Sequence, residues 1–126
     1  MNPKRHSRLA WTVAITLAIS TLFVTARVEG ARSFMSITVA NNSDRPIYHL
    51  YLSPADRDAW GPDLMASNTS INKGQSFTIT DAACSANEIK VIAEDQQGCF
   101  SYGVVSCAQA TTSWTIANDT PADCGN

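Results

Sequence analysis

Glu88-Ile89-Lys90-Val91-Ile92-Ala93-Glu94, then Asp95-Gln96-Gln97-Gly98, then Phe100-Ser101-Tyr102-Gly103-Val104-Val105-Ser106, is the stretch that decides the fold. Two apolar, β-branched runs flank a short polar loop that contains glycine, a pattern that predicts an antiparallel hairpin. The chain on either side repeats the theme. Ser36 to Ala40 alternates and is closed by the turn residues Asn41-Asn42-Ser43-Asp44, whose side chains bond readily to nearby backbone. Pro46 to Ser53 reads as a second strand with apolar or aromatic residues on both faces, as expected of a central strand. Ser76 to Thr80 and Ser113 to Asn118 add two more, and no long 3.6-residue periodicity intervenes. Ser53-Pro54-Ala55-Asp56 carries helix-start signals, with Ser53 as cap, and Gly61-Pro62 ends that helix within two turns. The expectation is an all-β fold: a small antiparallel β-sandwich with one short helix after the second strand.

The hairpin also separates the three pairings open to four cysteines. With Glu94 opposite Cys99, Cys107 falls opposite Ala86, two residues from Cys84. Cys99 and Cys107 are eight residues apart on one strand, roughly 27 Å at about 3.4 Å per residue, too far for a bond. Cys84 and Cys99 lie at opposite ends of the pair. The expected disulfides are therefore Cys84 with Cys107 and Cys99 with Cys124, the second reached if the last strand pairs back on Phe100 to Ser106. No Cys-x-x-Cys or Cys-x-x-His spacing favours zinc or redox chemistry.

The first residues agree with an oxidising destination. Lys4, Arg5 and Arg8 precede a mostly apolar run from Leu9 to Thr25, which ends at Val24-Thr25-Ala26. That is the pattern of a secretory signal, residues 1–26, cleaved after Ala26 or alternatively after Gly30. A retained anchor fits less well, because five Ser and Thr residues dilute the run. Residues 27–35 then read as a linker and 36–126 as one domain. Counted from Arg27, 100 of the 126 residues remain, with six basic against eleven acidic side chains and a net charge of −5. This balance argues against nucleic acid and against docking on anionic lipid, since both need clustered Lys and Arg. No second apolar run is long enough to span a membrane, so stable insertion after signal cleavage is not expected.

The candidate site is the segment with Asp56, Asp58, Trp60 and Asp63. Three carboxylates on one loop, with Asp44 or Asp95 nearby, are the one constellation able to supply oxygens to calcium, although the EF-hand pattern is absent. Trp60 beside Gly61 is a candidate ligand platform, the alternative being an indole buried against the sheets. His49 is the only histidine after Ala26, and no Gly-x-Ser-x-Gly accompanies it, so a small hydrolase ranks third. Asn41, Asn68 and Asn118 begin Asn-x-Ser/Thr sequons, relevant to a eukaryotic source.

Val39-Ala40-Asn41-Asn42-Ser43, Ile47-Tyr48-His49-Leu50-Tyr51-Leu52-Ser53-Pro54, Trp60-Gly61-Pro62-Asp63-Leu64 and Lys73-Gly74-Gln75-Ser76-Phe77 occur in that order. Together they resemble a family of small exported bacterial proteins of unknown role, with N-N-x-G/S, I-x-x-L-Y-x-S-P, W-G-x-D-L-L and P-G-x-S/T segments. The likeness spans Ile37 to about Cys107. It departs at Met65, which stands for a leucine, at Asn72-Lys73, where a proline is usual, and at the Cys99 and Cys124 pair. The resemblance implies a compact β-sandwich in a bacterial envelope and lends no support to a tetrapyrrole, flavin or nucleotide. The functional expectation is a periplasmic or secreted, non-catalytic interaction module for a protein or glycan partner. The alternative is a calcium-binding envelope protein using the Asp56 to Asp63 loop, with no other cofactor.

Overall fold

The computed structural model describes residues 33–125. The expected signal peptide and its cleavage sites lie outside the described residues. Six strands form two three-stranded sheets: β1 (Ser33–Asn41), β2 (Ile47–Pro54), β3 (Ser76–Cys84), β4 (Glu88–Asp95), β5 (Phe100–Ser106) and β6 (Thr111–Ile116). One sheet has the order β3-β1-β6 and the other β2-β4-β5. Met35, Ile37 and Val39 of β1 share a single core with Leu50 of β2, Ile89, Val91 and Ala93 of β4, and Ile116 of β6. Their alternation in sequence is the strand period, which puts every second side chain on the inner face.

Several expectations need correction. The short helix after β2 is absent, and Ala55 to Arg57 form only a turn. So short a helix has little cooperativity of its own, and the backbone here finds better partners. The Gly61 and Leu64 amides donate to the Leu52 and Leu50 carbonyls at 2.8 and 2.9 Å, which draws the segment out along β2. Ser53 caps no helix; its hydroxyl accepts from the Ala59 amide at 3.0 Å and donates to the Arg57 carbonyl at 2.9 Å. Second, β2 is an edge strand rather than a central one. Leu50 nevertheless faces the core and Tyr51 meets Trp60 on the other face, while the segment after β2 covers its free edge and closes with a two-way bridge between Ile47 and Ile71. That cover also blunts an edge otherwise open to strand addition. Third, β6 pairs in parallel with β1, from Ser36↔Thr111 to Asn41↔Ile116, so the first sheet is mixed and β6 does not pair with β5. Fourth, β1 starts at Ser33, and Ser33 to Met35 pair with Cys84 to Ala82 instead of forming the end of a linker.

The hairpin is present, one residue out of the expected register. Glu94 faces Phe100 and Ile89 faces Val105. Gly98 has φ of 76°, the left-handed conformation of a bulged hairpin turn, and it adds one residue to the loop. The Asp95 carboxylate holds that turn by accepting from the Gln97 and Cys99 amides at 2.8 and 3.0 Å. Both expected disulfides, Cys84–Cys107 and Cys99–Cys124, are formed. The tail reaches Cys99 through a bridge between Phe100 and Asp123, not through β6.

Where β5 and β6 meet across the two sheets, Gly103 lies flat against the Trp114 indole. A Cβ at Gly103 would sit 2.5 Å from Trp114 Cδ2 and Cε2. Gly103→Ala is therefore expected to destabilise the fold by about 1–3 kcal/mol through overpacking. Urea unfolding checks this, and a neutral result would mean that the indole is free to move aside.

Candidate functional site

The side chains that point away from the core on the β2-β4-β5 sheet build the site. The strand register aligns Tyr51, Ile92 and Tyr102 in one row, and His49, Glu94 and Phe100 in the next. The segment after β2 carries Trp60 back over this face. Its ring centroid is 5.5 Å from Tyr51, 5.2 Å from Phe100 and 6.3 Å from Tyr102, the last two at near-perpendicular interplanar angles of 67° and 68°. Edge-to-face contacts of this kind are favourable arrangements of the ring quadrupoles. Ile92, in register between Tyr51 and Tyr102, is fully buried on what is otherwise the outer face. Trp60 nevertheless keeps 40% of its surface exposed and Tyr102 43%.

Polar groups rim the aromatic cluster. Lys90 Nζ lies 2.7 Å from Asp58 Oδ1, and with Trp60 and Tyr102 these residues line an open notch. Tyr51 donates its hydroxyl to Glu94 Oε2 at 3.1 Å. Burial first, and then the bond to Glu94, push the Tyr51 phenol up to about 12, so it stays a donor at neutral pH.

The three carboxylates of the loop do not come together. Asp56 is exposed and pairs with Arg57 at 3.3 Å, Asp58 turns to Lys90, and Asp63 turns to β2. No group of three or more His, Cys, Asp or Glu side chains placed to hold a metal ion occurs among the described residues. Asp63 joins its loop to β2: Oδ1 accepts from the Leu50 and Met65 amides at 3.2 and 3.0 Å, and Oδ2 lies 2.6 Å from His49 Nδ1. Burial alone would raise its pKa, but the His49 contact and the two amides outweigh burial and hold it below the usual carboxylate value. The stabilisation this implies is present above the unfolded-state pKa, near 4, and is lost as pH falls through the lower folded value. Asp63→Asn is expected to flatten the drop in melting temperature below about pH 4, whereas an unchanged acid profile would show that other carboxylates govern it. The His49–Asp63 pair resembles two members of a hydrolytic triad, yet among the described residues no serine or threonine hydroxyl bonds the imidazole.

Of the three sequons, Asn41 is buried with its amide fully engaged, and Asn118 is tied to Asp44. Asn68 is exposed. Sequence reasoning found Trp60 and missed Tyr51, Phe100, Tyr102, Lys90 and Glu94 as its surroundings. The signal was the alternation of Phe100 and Tyr102 in β5, but in the expected register those rings would have faced Ala93 and Val91.

No protein-family model matches the chain, and no curated protein matches it. Among solved structures it is similar to the NMR structure of the protein from Eubacterium rectale. The TM-score is 0.50 at 18% sequence identity, covering 71% of this chain and 82% of that one. At that identity the likeness concerns the fold alone. No helix among the described residues is long and apolar enough to cross a membrane.

Proposed function

We propose that this chain is an exported, non-catalytic binding module, a small β-sandwich of the bacterial envelope that presents its outer aromatic face to a protein or glycan partner. The observation that carries the reading is a solvent-exposed indole, Trp60, set among Tyr51, Phe100 and Tyr102 on a rigid sheet face. Aromatic side chains held in place by a scaffold supply contact area at low entropic cost, and Trp and Tyr dominate binding hot spots. Export is supported by the signal-like residues 1–26 and by two disulfides, bonds that persist in oxidising compartments.

The test compares the protein with Tyr102→Ala, and with Trp60→Ala as a second variant, on solubilised envelope proteins and on a printed glycan panel. Retention of a defined ligand that both substitutions abolish, with unchanged circular dichroism, supports the reading. Equal retention by the variants, or no retention of any envelope protein or glycan, overturns it.

A further inference from the structure

We propose that the notch lined by Asp58, Trp60, Lys90 and Tyr102 is a subsite for one residue of a neutral glycan, with the Asp58–Lys90 pair reading two adjacent hydroxyls. The inference deepens the binding-module reading above and rests on it.

Three features of the notch select the ligand chemistry. The first is its charge. Aromatic walls beside a carboxylate would suit a quaternary ammonium group, but the Lys90 ammonium lines the same notch and repels a cation. Asp58 likewise repels an anion, and the excess of acidic residues along the chain adds to that. A neutral ligand is left.

The second feature is the polar geometry. Lys90 Nζ and Asp58 Oδ1 are 2.7 Å apart, so a strong donor and a strong acceptor stand side by side. Two neighbouring hydroxyls on one edge of a sugar ring match that pair, one accepting from the ammonium and the other donating to the carboxylate. Each charged group retains hydrogen-bonding capacity beyond the contact between them, and charge-assisted bonds of this type are the stronger class. The carboxylate is well exposed, with 78% of its side chain in contact with solvent, so it needs no rearrangement to meet a ligand.

The third feature is the walls. Trp60 and Tyr102 stand at 68° to each other with ring centroids 6.3 Å apart. One ring can stack on the apolar C–H face of a pyranose while the other closes its side. The indole also packs on Phe100 and Tyr51, at ring-centroid distances of 5.2 and 5.5 Å, so its plane is set before any ligand arrives. The notch is also small: four side chains line it, whereas a stable protein partner usually covers about 800 Å² on each side.

Neutral tetrasaccharides of glucose, N-acetylglucosamine, xylose and mannose, with choline chloride and inorganic phosphate as charged probes, are titrated into the oxidised protein. Tryptophan fluorescence and amide and indole NMR shifts are followed. Saturable shifts confined to Trp60, Tyr102, Lys90 and Asp58 are expected with at least one sugar and with neither charged probe. Asp58→Ala and Tyr102→Ala should each weaken that binding by about tenfold or more, with melting temperatures close to wild type. Lys90→Met, which keeps the apolar stem, should weaken it similarly. Choline or phosphate binding in the notch, or sugar binding unaffected by these variants, overturns the inference. So does the absence of a response to every sugar at millimolar concentration. If the sugars fail while an envelope protein is still retained through Trp60 and Tyr102, the glycan inference falls and the binding-module reading stands. If nothing binds, both fall.

Discussion

Asn41→Ala is expected to lower the unfolding free energy by about 3–4 kcal/mol, a large share of the roughly 5–15 kcal/mol typical of a domain. Asn41 is 1% exposed at the end of β1. Its Nδ2 donates to the carbonyls of Arg45 and Ile71, each at 2.8 Å, and its Oδ1 accepts from the Ser43 amide at 2.9 Å and the Ser43 hydroxyl at 2.7 Å. One amide thus fixes the turn between β1 and β2 and fastens the segment that covers the edge of β2. Alanine would leave buried donors and acceptors without partners, at about 1–3 kcal/mol for each group that water does not reach. Asn41→Asp discriminates further. It keeps both acceptor contacts but sets a carboxylate against two carbonyl oxygens, so it should be at least as damaging as alanine. Urea unfolding of the two variants is the measurement; losses under about 1 kcal/mol would show that the network is dispensable.

The importance of this asparagine was partly legible in the sequence. Asn41-Asn42-Ser43-Asp44 reads as a turn built from side-chain to backbone bonds, and it is one. What the run does not reveal is the bond to Ile71, thirty residues away, because that contact depends on where the segment after β2 is laid. Hairpin and disulfides were legible for a local reason: the β4–β5 pairing is closed by a short loop, and strand length alone excludes the wrong cysteine partners. Register was not, since the bulge at Gly98 adds one residue and displaces every facing pair. Parallel pairing of β6 with β1 was hidden as well. It joins segments more than seventy residues apart, and neither carries a local mark of its partner.

The aromatic face follows the same logic. Trp60 stood out as a large residue beside a glycine, and its neighbours did not, because Tyr51, Phe100 and Tyr102 come from two strands and meet only in the observed register. Helix signals at Ser53 and Pro54 were genuine local preferences that tertiary hydrogen bonds outweighed. The Leu50 and Leu52 carbonyls on an otherwise bare strand edge offered partners that an isolated turn of helix does not.

Replacing Cys84 and Cys107 together with alanine is expected to cost about 3–4 kcal/mol, and replacing Cys99 and Cys124 about 3 kcal/mol. Sequence separations of 23 and 25 residues make the chain-restriction contributions nearly equal, so any difference reports what each bond holds in the folded state. Cys84 is buried in the core at the end of β3, and its partner follows β5, so this bond joins one sheet to the other. Cys99–Cys124 fastens a tail that meets β5 through one bridge, Phe100 to Asp123. Guanidinium unfolding of the two double variants decides the matter. A larger loss for the inter-sheet pair means that the two sheets rely on it to stay docked, and equal losses mean that both bonds act only by restricting the unfolded chain. In either case the two contributions together approach the whole stability of a domain this size. Reduction of both bonds should then leave a substantially unfolded protein by circular dichroism, which ties the fold to an oxidising compartment. A reduced protein that kept its β spectrum and its cooperative melting would remove that link and with it the structural support for export.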